Sequence, residues 1–125
     1  MLRTLLRNRR GATAVEFALV LPVFLSFLLG TMEVGRFLWV RSTLQFAAEE
    51  ATRYAIAHST AGTAEISAQA KASLAGLESA SVQINVASSS ATVTVRLTHD
   101  FQLVTAGLLP FSTVSLSATS QFPRN

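Results

Sequence analysis

The sequence predicts an α+β protein. Its elements are one long N-terminal helix, apolar in its first half and amphipathic in its second, then a short second helix and a small antiparallel sheet of three or four strands. Three observations carry this. Sixteen consecutive residues between Glu16 and Glu33 hold no charge. From Phe37 through Leu44, Ala48, Ala51 and Ala55, apolar residues recur at spacings of seven, four, three and four, the repeat of one helix face. From Val82 onward the period changes to two, in three separate runs.

The chain opens on a basic stub, Arg3, Arg7, Arg9 and Arg10 preceding Gly11, and the apolar run Phe17 to Met32 follows. As a helix, sixteen residues span roughly 24 Å at ~1.5 Å per residue, short of the ~30 Å hydrocarbon core of a bilayer. Including Ala12 to Val15 closes the gap. It also places Glu16 near the membrane boundary, where an ionisable side chain is costly and marks a functional candidate in need of a partner. The arginines on the N-terminal side, against only Arg36 and Arg41 just past the far end, orient the N-terminus to the cytoplasm and the rest of the chain outside. Pro22 has no N–H for the carbonyl of Ala18, so a kink or local loosening is expected within the span. Ser26 and Gly30 form a small-xxx-small pair at which a second helix can approach.

Past the bilayer the helical stripe is expected to be a packing face, with Glu49 and Arg53 forming an ion pair one turn apart. Ser, Thr and Gly accumulate from His58 to Gly62 and end the helix there. A second helix is predicted from Ala64 to about Leu77, capped by Thr63, with Glu65 in its first turn and Ile66, Ala70, Leu74 and Leu77 on one face. Three strands follow, built on Val82, Ile84 and Val86, on Val93, Val95 and Leu97, and on Val114, Leu116 and Ala118. Ser88-Ser89-Ser90 fits a tight hairpin connection. The apolar face of the sheet is expected on the amphipathic half of the long helix, because a half-buried sheet needs cover. The apolar loop Leu108-Leu109-Pro110-Phe111 is expected to tuck beneath the sheet, with the membrane or a partner as the alternative.

Composition narrows the function. At 125 residues the chain holds one small domain plus a membrane segment, and a mean hydropathy of +0.41 with half the residues apolar exceeds what an ordinary soluble domain carries. The pI of about 10.6 suggests nucleic-acid binding until the charges are placed. Four of the ten basic residues precede Gly11; without residues 1–11, six basic residues face seven acidic ones, a net charge of −1. No nucleic-acid partner is therefore expected. The absence of cysteine excludes disulfides, thiolate metal sites and Cys nucleophiles. His58 and His99 lack carboxylates at metal-ligand spacing, and His99 reads as a strand-end residue. Asp100 follows His99 directly, and adjacent strand residues face opposite ways, which argues against a Ser-His-Asp arrangement. No catalytic residue, metal site or cofactor is expected.

A secretory signal peptide would need small residues at a cleavage site after the apolar run, which Leu29-Gly30-Thr31-Met32-Glu33 does not supply. An uncleaved anchor explains the arginines and the apolar run but gives no reason for Glu16. The segment Arg9-Arg10-Gly11-Ala12-Thr13-Ala14-Val15-Glu16-Phe17, followed by Ala18-Leu19-Val20-Leu21-Pro22, resembles the N-terminus of TadE-like pseudopilins of the tight-adherence (Flp) pilus system. The similarity extends through Glu33, Gly35 and Arg36 to the Ala-rich stretch near Ala47 to Ala57. The resemblance implies a pilin-like α+β plan and cleavage after Gly11 by a prepilin peptidase on the cytoplasmic side. The mature chain would then start at Ala12, with Glu16 as its fifth residue and Phe17 beside it. It implies residues 1–11 as leader, 12–35 as the membrane half of the helix and 36–125 as an extracytoplasmic domain. Implied partners are the peptidase, other pilin or pseudopilin subunits, inner-membrane assembly proteins and membrane lipid.

A physical role for Glu16 in such a subunit is pairing with the new terminal amine of Ala12 on a neighbour. Removing one partner of a desolvated pair costs roughly 3–5 kcal/mol, so the pair sets register. The plainer role is favourable placement of a negative charge in the first helical turn. Two other functions remain open: a major filament subunit, against which the sizeable domain counts, and an uncleaved single-pass protein whose outer domain is a binding module.

Overall fold

The computed structural model describes residues 9–107, 110 and 112–123. Arg3 and Arg7 of the basic stub, and Leu108, Leu109 and Phe111 of the apolar loop, lie outside the described residues; Pro110 is exposed. Helix α1 spans Arg9–Ala57, 49 residues and roughly 74 Å at ~1.5 Å per residue. Helix α2 spans Thr63–Ala72, and a 3-10 turn, Ser79–Ser81, leads into strands β1 (Val82–Ser88), β2 (Thr92–Gln102) and β3 (Thr113–Pro123). The three strands form an antiparallel meander in the order β1-β2-β3. The α+β plan is as predicted, with three strands rather than four.

The core lies between the second half of α1 and one face of the sheet. From α1 it takes Val40, Leu44, Ala47, Ala48, Ala51 and Ala55; from the sheet, Val82, Val93, Val95, Leu97, Phe101, Leu116 and Ala118. Phe37 packs at its edge. Four fully buried alanines at the centre of the helix face leave room for the β-branched residues of β2 to approach the helix closely. The opposite sheet face carries Arg96, Asp100, Ser115, Ser117 and Thr119, all exposed, so alternation along the strands matches a sheet covered on one side. Registers Ile84↔Leu97 and Leu97↔Ala118 align the inward positions across all three strands. The serine turn is held by Ser89, whose N–H donates to the Thr92 carbonyl at 2.8 Å and whose hydroxyl accepts from the Thr92 N–H at 3.0 Å.

Four local expectations need correction. Helix α2 ends at Ala72, short of Leu77, and Thr63 is its first helical residue rather than its cap. Gly62, extended at φ −77° and ψ 166°, is the N-cap, since its carbonyl accepts the first intrahelical bond from Ile66. At the other end Ser73 donates its hydroxyl to the Gln69 carbonyl at 3.0 Å, and its N–H is shared between the Gln69 and Ala70 carbonyls. Gly76, at φ +78°, then turns the chain away. Leu74 is still buried and Leu77 still packs on the core, from this turn rather than from a helix. Next, Glu49 accepts from Gln45 Nε2 at 2.9 Å, and the expected Glu49–Arg53 pair is not formed. Finally, His99 sits inside β2, opposite Val82 and Leu116, rather than at a strand end.

Gly76 yields a stability prediction. A Cβ there would meet the Trp39 ring at 3.5 Å, ordinary contact, so the strain of Gly76→Ala comes from the left-handed backbone alone. The variant should lose roughly 1–2 kcal/mol, read as a lower unfolding temperature of the head in detergent.

Candidate functional site: the bare half of helix α1 and its junction with the head

The first half of α1 is uncovered. Val15, Phe17, Leu19, Val20, Val23, Phe24 and Phe27 are each more than half exposed, and the most apolar stretch of the helix has no buried residue. Among the described residues this is the one helix long and apolar enough to cross a membrane. Among the described residues the head packs on the second half, so none of them shields these side chains from water.

The residues expected to serve processing, register, kinking and helix packing, Gly11, Ala12, Glu16, Phe17, Pro22, Ser26 and Gly30, are all on this bare half. Gly11 lies within the helical backbone, exposed, with nothing within 4 Å of the place a Cβ would occupy. Ala12, Glu16 and Phe17 are also helical and exposed. Glu16 and Phe17 are neighbours in sequence but point about 100° apart around the axis, so they address different surroundings. No described basic side chain pairs with Glu16. The helix continues through Pro22, and Ser26 donates its hydroxyl to the Pro22 carbonyl at 2.7 Å. Thr31 likewise donates to the Phe27 carbonyl at 2.8 Å. Hydroxyls turned back onto the helix in this way need no water, which suits an apolar surrounding. Ser26 and Gly30 line a shallow open groove with Phe27, Thr31 and Val34, and a Cβ on Gly30 would meet no other atom within 4 Å.

A cluster at the end of the apolar stretch joins helix to head, and the sequence did not reveal it. Glu33 accepts from Arg36 Nη2 at 2.8 Å, the one ion pair among the described residues. Its two carboxylate oxygens also accept from the Val104 backbone N–H, at 3.2 and 3.3 Å. Arg36 donates to the Gln102 carbonyl as well. Its guanidinium carbon stands 4.3 Å from the centroid of the Phe101 ring, and that ring meets Phe37 edge-on at 5.6 Å. Thus one turn of α1 bonds backbone groups at the end of β2 and in the turn that follows it. Spacing shows Glu33 and Arg36 on neighbouring faces, but their contacts are roughly 70 residues away in the chain.

Both histidines make contacts within the fold. His58 stacks on Tyr54 at 4.2 Å at the end of α1. The Nδ1 of His99 lies 3.1 Å from the Ser81 carbonyl, bracing the 3-10 turn against β2. Asp100 points to the opposite sheet face. Among the described residues no group of His, Asp and Glu is arranged to hold a metal ion.

The geometry defines a class: a small α+β head carried on the second half of one long helix whose first half is bare and apolar. Residues 11–53, about a third of the chain, match the family model of TadE-like proteins, so this segment is similar to that family. The match begins at Gly11 and takes in Glu16, the bare helix, the Glu33–Arg36 pair and most of the helix face of the core. No curated protein and no solved structure matches the chain.

Proposed function

We propose that the protein is a minor pseudopilin, a non-catalytic component of a tight-adherence pilus. It is inserted once in the bacterial inner membrane with its N-terminus cytoplasmic and cut by a prepilin peptidase between Gly11 and Ala12. The observation that carries the reading is that the TadE-like match, residues 11–53, takes in an exposed apolar helix whose single early carboxylate, Glu16, lies five residues after Gly11. The exposure of this helix supports action by packing, first against lipid and then against helices of other pilus components. The small-residue groove at Ser26 and Gly30 suits close approach of one such helix. Intact mass and N-terminal sequence of the protein from native membranes, with and without the peptidase, test the processing step. A peptidase-dependent start at Ala12 is expected, and an unprocessed start at Met1 would overturn it.

Glu16 is assigned to register. In the single chain it is exposed, so desolvation and pairing arise on assembly, with the protonated amine of Ala12 on a neighbour as the cation that donates to its carboxylate. Glu16→Ala should leave the protein inserted and processed while its incorporation into the pilus assembly falls at least tenfold by quantitative immunoblotting. Undiminished incorporation would remove this role.

A further inference from the structure

We propose that the β2–β3 turn at Val104 is a second membrane contact, which lays the head on the outer bilayer surface at a fixed orientation. The inference rests on the reading of α1 as a membrane span. Val104 is 74% exposed although it lies between two elements that pack on the core. It is next to the end of the apolar stretch: Leu29, Met32, Glu33, Arg36, Val104 and Thr105 line one largely apolar hollow. Glu33 is the first charged residue after the apolar run, and the Val104 N–H is bonded to its carboxylate. The turn is therefore held at the depth where the span leaves the hydrocarbon, and the Val104 side chain lies beside Leu29 and Met32, which lipid must cover if α1 spans.

The turn's own bonds support this placement. Leu103 donates its N–H to the Ser112 carbonyl at 3.0 Å and Ala106 donates to the Leu103 carbonyl at 3.3 Å, so part of the backbone near Val104 is satisfied internally. Glu33 takes the Val104 N–H, and Arg36 takes the Gln102 carbonyl. An apolar side chain on a backbone satisfied this way enters the interfacial region at low cost, and burying a valine there is favourable. The occupant of the hollow is thus the acyl and headgroup boundary of the same bilayer.

The chain has no cysteine, so single labels are clean. Full-length Val104→Cys, Ser90→Cys and Leu25→Cys would each carry an environment-sensitive nitrobenzoxadiazole group in phosphatidylethanolamine–phosphatidylglycerol vesicles. Ser90 is exposed in the serine turn at the opposite end of β2, roughly 33 Å along the strand at ~3.3 Å per residue. The Val104 label should be blue-shifted and quenched by lipid spin-labelled near the headgroup, while the Ser90 label stays water-like and open to iodide. A water-like Val104 label beside a deeply quenched Leu25 label would overturn the contact and leave the span standing. A water-like Leu25 label would instead fell the membrane reading itself, and the contact with it. Shielding of Val104 that vanishes on dilution with lipid would identify a neighbouring protein as the occupant and overturn the proposal.

Discussion

A Gly11→Val chain is expected to accumulate in membranes at full length, with no species beginning at Ala12. The fold gives this variant an unusually clean reading. Gly11 is exposed and, its chain neighbours and the backbone of its own helix turn aside, no described atom lies within 4 Å of the position of an added Cβ, so the described fold offers that atom no clash. Valine is no worse than glycine in a helix interior, so the first turn keeps its stability. Only an enzyme that must close around the residue before the scissile bond would be crowded by the branched side chain. Immunoblots and intact mass of membrane extracts read the result. Mature protein at the normal level would refute cleavage at this bond, and Glu16 would then lose the free amine proposed as its partner.

Phe101→Ala should be the most damaging single change in the head. Phe101 is 1% exposed, is the largest of the fully buried side chains, and joins the sheet to α1 through Phe37 and the Arg36 guanidinium. Truncating such a residue costs about 3–5 kcal/mol through lost transfer energy and the cavity left behind. A domain of this size has only about 5–10 kcal/mol to lose. At roughly 4–8 °C per kcal/mol the unfolding temperature should fall by well over 10 °C, measured by near-ultraviolet circular dichroism in detergent. Phe101→Leu keeps most of the volume and should recover much of the loss. The bare half of α1 makes no contact with the sheet, so its far-ultraviolet helical signal should persist in both variants.

Helix and strand were legible in this chain because each kind of pattern was strong where it occurred. The seven-four-three-four spacing from Phe37 to Ala55 puts those residues on one helix face, and the structure buries Leu44, Ala48, Ala51 and Ala55 completely or nearly so. Alternation at Val93, Val95 and Leu97 marked an inward face that is fully buried in β2. The reading was poorer at element ends, where single residues compete. Thr63 is a good capping residue, yet Gly62 takes the cap because its extended backbone places its carbonyl to receive Ile66. Leu74 and Leu77 continue a helical period in sequence, but Ser73 and Gly76 break the backbone that would have carried it. Glu49 and Arg53 had the favourable spacing for a surface pair worth only a few tenths of a kcal/mol, too little to prevail over a hydrogen bond from Gln45.

The sequence by itself determined where the apolar helix lies, that it carries one early carboxylate after a glycine, and that a helix and three strands follow. Those properties are local, set by charge-free length and by hydrophobic period along a continuous stretch of chain. Only the tertiary structure decided that the head packs on α1 from Phe37 onward and leaves Val15, Phe17, Leu19, Val23 and Phe27 exposed. It also decided that Glu33 and Arg36 hold the β2–β3 turn at the end of the apolar stretch. Such contacts join residues far apart in sequence, and their partners are backbone groups, whose positions no side-chain pattern encodes. They are fixed by where the sheet settles on the buried alanines of α1.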